Sequence, residues 1–110
     1  MTDRHAEALA RLEGRLRHGP GELPPQIRAA GIDGRPLPDL LAQGYVETVR
    51  GHAYKVTDRH LDELAEAGWT DGQVFELTVA AAFGAAKRRL DVGLRAFGEA
   101  AVTRRSAGEG

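Results

Sequence analysis

The chain has 110 residues, with 15 basic and 16 acidic side chains, a formal net charge of −1 and no cysteine. That length fits one domain with a single core. The missing thiols exclude disulfides, thiolate metal sites and thiol redox chemistry within the chain, and the balanced charge gives no basis for nucleic-acid binding.

No apolar run reaches transmembrane length, because Glu76 and Thr78 interrupt the longest candidate. Residues 1–7 hold no signal-peptide core. The expectation is a cytoplasmic protein with no membrane association. Aromatic residues are scarce, so Leu, Val and Ala must build the core.

Taken in order, Thr2 or Asp3 can cap a first helix that runs to His18. Ala6, Leu9, Leu12 and Leu16 form its apolar stripe, with Arg and Glu on the other face. Gly19-Pro20-Gly21 ends it. Leu23-Pro24-Pro25 leads into a short helical turn, Gln26 to Ala30, with Gly31 as its expected stop. Ile32 to Pro38 reads as a loop, with a turn at Asp33-Gly34. A second long helix begins near Pro38 or Asp39. Leu41, Tyr45, Val49 and His52 share one stripe, with Leu40 and Val46 beside it. Gly44 and Gly51 weaken it by about 1 kcal/mol each relative to Ala, which points to close packing or an early end. Tyr54-Lys55-Val56 is a connection.

Thr57 caps the next helix, Asp58 to Ala67, with Leu61 and Leu64 inward. Gly68 follows as a left-handed stop, and Trp69 folds back on the last turn. Thr70 then opens the longest helix. Gln73, three residues on, completes a capping box, and Asp71 suits the positive end of the helix dipole. Val74, Leu77, Thr78, Ala81 and Ala85 lie on one stripe, and Phe83, Leu90, Leu94 and Phe97 continue the apolar cover. Gly98 is the expected stop. Residues 1–98 thus form a helical domain, and residues 99–110 read as a flexible tail.

The segment from Val56 to Glu76 resembles the second half of the carboxymuconolactone decarboxylase and alkylhydroperoxidase D-like superfamily. The shared features are a capped short helix, the Ala67-Gly68-Trp69-Thr70-Asp71 corner and the long Ala-rich helix after it. The likeness extends over Tyr45 to Phe97, about half the chain. It implies an all-α bundle of four or five helices that assembles as an oligomer. Peroxidase members of that superfamily carry a Cys-x-x-Cys pair with nearby Glu and His, and this chain has no counterpart. The resemblance therefore supports the fold, argues against peroxidase activity and transfers no catalytic residue.

Candidate chemistry is sparse. Ser106 is the one serine, so Ser and Cys triads are excluded. Thr57 and Thr70 are explained as caps. His60 and Glu63 share a helix face at metal-ligand spacing but lack a third and fourth ligand. His52 ends an apolar stripe beside Tyr54, and Glu76 interrupts the apolar start of the longest helix. Together His52, Tyr54 and Glu76 are the candidate acid–base set, provided that they converge on one pocket. Lys87-Arg88-Arg89 reads as a solvated charge run or an anion site.

The leading expectation is a non-redox helical protein that acts by self-assembly or by binding a helical partner. The alternatives are a small cofactor-independent acid–base enzyme and a weak metal or small-ligand binder. No cofactor is implied. The small residues Ala80 to Ala86 give the longest helix a smooth face, so the subunit contact is expected around Ala81 and Ala85.

Overall fold

The computed structural model describes the backbone of residues 4–109 and the side chains of residues 4–105. Within them lie five α-helices: α1 (Arg4–His18), α2 (Pro25–Asp33), α3 (Leu40–His52), α4 (Asp58–Glu66) and α5 (Asp71–Glu109). A 3₁₀ turn, Ala53–Lys55, joins α3 to α4, and the described residues contain no strand. The domain is all-α, as the sequence implies. The proposed caps at Thr2 and Asp3 lie outside the described residues.

Local chemistry accounts for most of the helix boundaries. Asp39 caps α3 with one carboxylate oxygen, which accepts from the Leu41 and Ala42 N–H groups at 2.9 and 3.2 Å. Its other oxygen accepts from Trp69 Nε1 at 3.1 Å, tying the start of α3 to the corner before α5. At α4, His60 takes the capping-box place that Glu or Gln usually fills, with Nδ1 accepting from Thr57 N at 3.0 Å. At α5 both bonds of the capping box form: Gln73 N donates to Thr70 Oγ1 at 3.1 Å, and Thr70 N donates to Gln73 Oε1 at 3.0 Å.

The corner between α4 and α5 is a Schellman motif. Trp69 N donates to Leu64 O and Gly68 N to Ala65 O, both at 3.0 Å, with Gly68 at φ 101°. Trp69 folds back onto the core. Two other stops differ from the sequence reading. Helix α2 passes through Gly31 and ends at Gly34, whose φ is 71°. Gly31 is buried against α5, where an added Cβ would sit 3.4 Å from the Ala80 Cβ, so its role is close approach rather than termination. Helix α5 passes through Gly98 and continues to Glu109. Among the described residues only Gly34 and Gly68 have positive φ, so Gly98 keeps a helical backbone. The residues around it, Arg95 to Phe97 and Glu99 to Ala101, include good helix formers that offset the cost of one interior glycine, about 1 kcal/mol.

The core forms where α2 and α3 lie against the first half of α5. Leu64, Leu77 and Val46 are the largest side chains fully shielded from water, and Ala42, Tyr45, Val49, Ala81 and Leu37 pack around them. The small residues of α5 serve this internal packing. Gly84 lies directly under the Ile32 carbonyl, in a position that a Cβ would occupy. In α3 the buried face is Ala42, Tyr45, Val46 and Val49, while Leu40 and Leu41 face water. Gly44 and Gly51 have open space where a Cβ would stand, so neither marks close packing. Leu61 of α4, expected inward, is 39% exposed.

Three arginines tie helices together end to side. Arg28 of α2 donates to Leu16 O at the end of α1 (3.1 Å). Arg50 of α3 donates to Gly31 O and Ile32 O at the end of α2 (2.8 and 3.1 Å). Arg89 of α5 donates to Arg50 O at the end of α3 (2.8 Å). Each accepting carbonyl lies in the last turn of its helix, where no intrahelical donor remains and the dipole favours a cation. A side chain from a later helix thus caps each of the first three.

Candidate interaction surface

The acid–base set inferred from sequence does not come together. Glu76 is held by the segment before α2: its two carboxylate oxygens accept from Glu22 N at 2.8 Å and Leu23 N at 2.7 Å. His52, the last residue of α3, and Tyr54 in the 3₁₀ turn after it lie on the surface, edge to face with ring centroids 5.9 Å apart. Tyr54 is 81% exposed. Arg50, two residues before His52, reaches α5 at Gly84 and Arg89. Glu76 is therefore two to four turns back along α5, roughly 12–20 Å at 1.5 Å per residue. Only the His52–Tyr54 pair forms, and Glu76 is a structural clamp.

The second candidate pair is likewise engaged elsewhere. His60 completes the α4 capping box, and Glu63 pairs with Arg59 at 3.2 Å. Among the described residues no group of three His, Asp or Glu is placed to hold a metal ion. In the Lys87-Arg88-Arg89 run, Lys87 pairs with Glu13 at 2.6 Å and Arg89 caps α3. A cleft of about 680 Å³ next to this run is lined by Arg35, Arg50, Arg88, Arg89 and Glu47. Two of those four guanidiniums are committed to helix-end carbonyls.

The face around Ala81 and Ala85, expected between subunits, is buried inside the chain beneath α2 and α3. The uncovered apolar surface is on another side of α5. Phe75, Val79, Phe83, Ala86, Leu90, Leu94, Phe97 and Ala101 recur at spacings of four, four and three. That average is close to the helical period, so the stripe runs nearly straight along one face. In the sequence Phe83, Leu90, Leu94 and Phe97 read as apolar cover, whereas the smaller side chains of Ala80 to Ala86 point to the contact. The signal that finds this surface is the same spacing continued past Ala86, where every position but one up to Arg105 is exposed.

Helix α1 forms the far wall of a groove over this stripe. The groove holds about 360 Å³ and is lined by Ala6, Leu9, Ala10, Phe83, Ala86 and Leu90, with Glu13, Lys87 and Asp91 at its edge. The Glu13–Lys87 pair fixes the depth of the groove at one point. Helix α1 buries no residue of its own, and Leu9 and Leu12 remain 43% and 45% exposed. Beyond the groove, Leu94 is 59% and Phe97 73% exposed. Helix α5 has 39 residues, about 58 Å at 1.5 Å per residue, so most of the 64 Å long axis of the molecule is this one helix.

The electrostatics here come from α1 and its partners. Hydrogen bonds from Lys87 and then Arg17 hold the Glu13 carboxyl below its ordinary range. Asp33 is lowered mainly by its hydrogen bonds with Arg17, at 2.6 and 3.2 Å. No helix among the described residues is long and apolar enough to cross a membrane.

No family model, curated protein or solved structure matches this chain.

Proposed function

We propose that this chain is a helical interaction protein whose working surface is the outer stripe of α5 with the groove beneath α1. One observation carries the reading: Leu90, Leu94 and Phe97 stand in water on one face of a helix that projects from its own core. Large exposed apolar patches of this kind mark association sites. A helix also gains most of its stability from packing an apolar face, and beyond Ala86 this one has almost none within the chain.

The likeness of residues 56–76 to the decarboxylase-like superfamily remains part of the proposal. It is supported by the capped α4, the Gly68 corner and the long α5 that follow one another here. An assembling, non-redox member is the form consistent with a cysteine-free chain. Acid–base catalysis by His52, Tyr54 and Glu76 draws no support from the geometry, because Glu76 is engaged by backbone N–H groups.

The test is the size of the protein in the cells that make it. Wild type in a gentle extract is expected to elute well above monomer size, and a Leu94→Glu, Phe97→Glu double variant as a monomer with its thermal transition unchanged. Elution of wild type as a monomer in that extract sinks the reading.

A further inference from the structure

The cleft between α3 and α5 holds more positive charge than its surroundings neutralise. We propose that it binds an organic diphosphate of nucleotide size, with Arg35, Arg50, Arg88 and Arg89 on the phosphates and Val46, Ala85 and Val92 beneath the carbon body. The proposal is independent of what covers the apolar stripe of α5.

Two helix faces build the cleft. Val46, Glu47 and Arg50 recur at helical spacing on α3, as do Ala85, Arg88 and Val92 on α5, and Arg35, just past the end of α2, completes the wall. The space of about 680 Å³ lies within the range of small-molecule sites, roughly 300–1,000 Å³. Gly51 and Gly93 also line it, and both have open space where a Cβ would stand. The two glycines thus leave room that side chains at these positions would take.

Four guanidiniums line this cleft against one carboxylate, Glu47. Glu47 accepts from Gln43 Nε2 at 2.9 Å and pairs with none of the four. Arg88 has neither a hydrogen bond nor an ion pair among the described residues. Arg35 meets Asp33 only at 3.5 Å, and Arg17 holds that carboxylate more closely, at 2.6 Å. Arg50 and Arg89 each give a single nitrogen, Nη1 and Nη2, to the helix-end carbonyls. Their other N–H groups have no partner among the described residues. Arg50 and Arg88 also line the adjoining cleft, with Arg17, Lys87 and Arg95. In a chain of net charge −1, positive charge is thus concentrated on one side, where it attracts anions.

The chemistry of the donors selects phosphate. A guanidinium is a planar fork that gives two parallel N–H bonds to neighbouring oxygens of one phosphate. A phosphate monoester carries about −1.5 to −2 at neutral pH, and a second phosphate brings the ligand closer to the excess charge of the cleft. Arg50 and Arg89 are already held by helix-end carbonyls, so little of their freedom is lost on binding. The exposed Arg35 and Arg88 can then close over the bound anion. Val46, Ala85 and Val92 give an uncharged body an apolar seat. No aromatic side chain lines the cleft, so it lacks the stacking platform on which single-stranded nucleic acids are held.

Equilibrium dialysis of the purified full-length chain against ADP, pyrophosphate, orthophosphate and citrate tests this. ADP is expected to bind most tightly and pyrophosphate next, with orthophosphate and citrate weaker than both. Arg88→Ala should weaken ADP about tenfold or more, the loss of a charge-assisted contact, with its melting transition unchanged. Gly93→Leu should block ADP by filling the cleft, yet melt at or above wild type because leucine favours the helix. Arg11→Ala removes an equal charge from α1, outside both clefts, and should leave binding as it is. Absence of ADP binding at millimolar concentration overturns the proposal. So does equal weakening by Arg11→Ala and Arg88→Ala, or citrate binding as tightly as pyrophosphate, either of which would mean diffuse attraction of anions. Full affinity in Gly93→Leu would place the anion outside the cleft, and pyrophosphate matching ADP would leave the carbon body without a seat. A single-stranded oligonucleotide that binds more tightly than ADP would make this a nucleic-acid surface. Each of these three outcomes also overturns the proposal, and none of them bears on the interaction reading of α5.

Discussion

Arg28 and Arg50 make similar contacts for different net effects. Arg50 is half-buried and gives one nitrogen to two helix-end carbonyls, at 2.8 and 3.1 Å, so its cost of desolvation is well repaid. Arg28 is only 6% exposed, makes a single bond to Leu16 O at 3.1 Å, and leaves Nε buried without a partner. Replacing a poorly satisfied buried charge with an apolar side chain of similar length is often neutral or stabilising. Removing a charged donor from carbonyls that remain behind costs about 1.5–3 kcal/mol. Arg50→Met should therefore destabilise by about that amount, and Arg28→Met by less than ~1 kcal/mol or not at all. Urea unfolding of the two variants at neutral pH measures both, and equal losses would contradict this account. The same accounting decides Glu76. Its position in an apolar run suggested a functional carboxylate, but two backbone donors at 2.7 and 2.8 Å take up its oxygens.

At the scale of an element, what could be read in the sequence was chemistry confined to a few neighbouring residues. The capping box at Thr70 and Gln73, the Gly68 corner and the turn of Trp69 onto α4 all depend on side chains within five positions of one another, and all form. The stops at Gly31 and Gly98 were misread because a glycine has the same local appearance whether it ends a helix or lets a neighbour approach. Gly31 is helical because α5 lies against it, a contact between residues far apart in sequence. The contact face was misplaced for the same reason. A run of small residues marks close packing, but whether the approaching helix comes from the same chain is a tertiary fact, and here it is α2. Gly68 offers a clean test of the local part. Nothing lies within 4 Å of its absent Cβ, so substitution there changes backbone strain alone. Gly68→Ala should cost about 1–2 kcal/mol, the price of the left-handed region for a residue with a Cβ, and Gly68→Asn should cost less because Asn tolerates that region. Thermal melts that rank Asn below Ala would show that the corner is held by something other than its backbone.

Across the whole molecule, apolar burial and charge hold different parts. Helices α2, α3 and α4 close around Leu77 and Ala81, whereas α1 buries no side chain and is fastened mainly by polar contacts. These are Glu13–Lys87 and Arg17–Asp33, each at 2.6 Å, and the Arg28 bond to Leu16 O, while Glu13–Arg17 at 2.8 Å lies within α1 and holds both charged groups in place. The acidic members, Glu13 and Asp33, both have carboxyls lowered by these partners from ordinary values of 4.5 and 3.8. A lowered folded-state value means that the unfolded or detached state binds more protons on acidification. The stabilisation is therefore fully present above pH 4.5 and is lost as pH falls through the depressed native values. Helix α1 should then release before the core does, since local opening follows the distribution of buried contacts. Amide exchange followed from pH 7 downward should show α1 protection constant to about pH 5, then falling several-fold ahead of the Leu64 and Leu77 amides. Moderate salt at neutral pH should weaken α1 in the same direction, though less, because these pairs are only about a fifth to a half exposed on each side. Because α1 is also the side wall of the groove over α5, the same acidification should expose more of Phe83 and Leu90. If α1 and the core lose protection together at every pH, α1 is held by more than its charges.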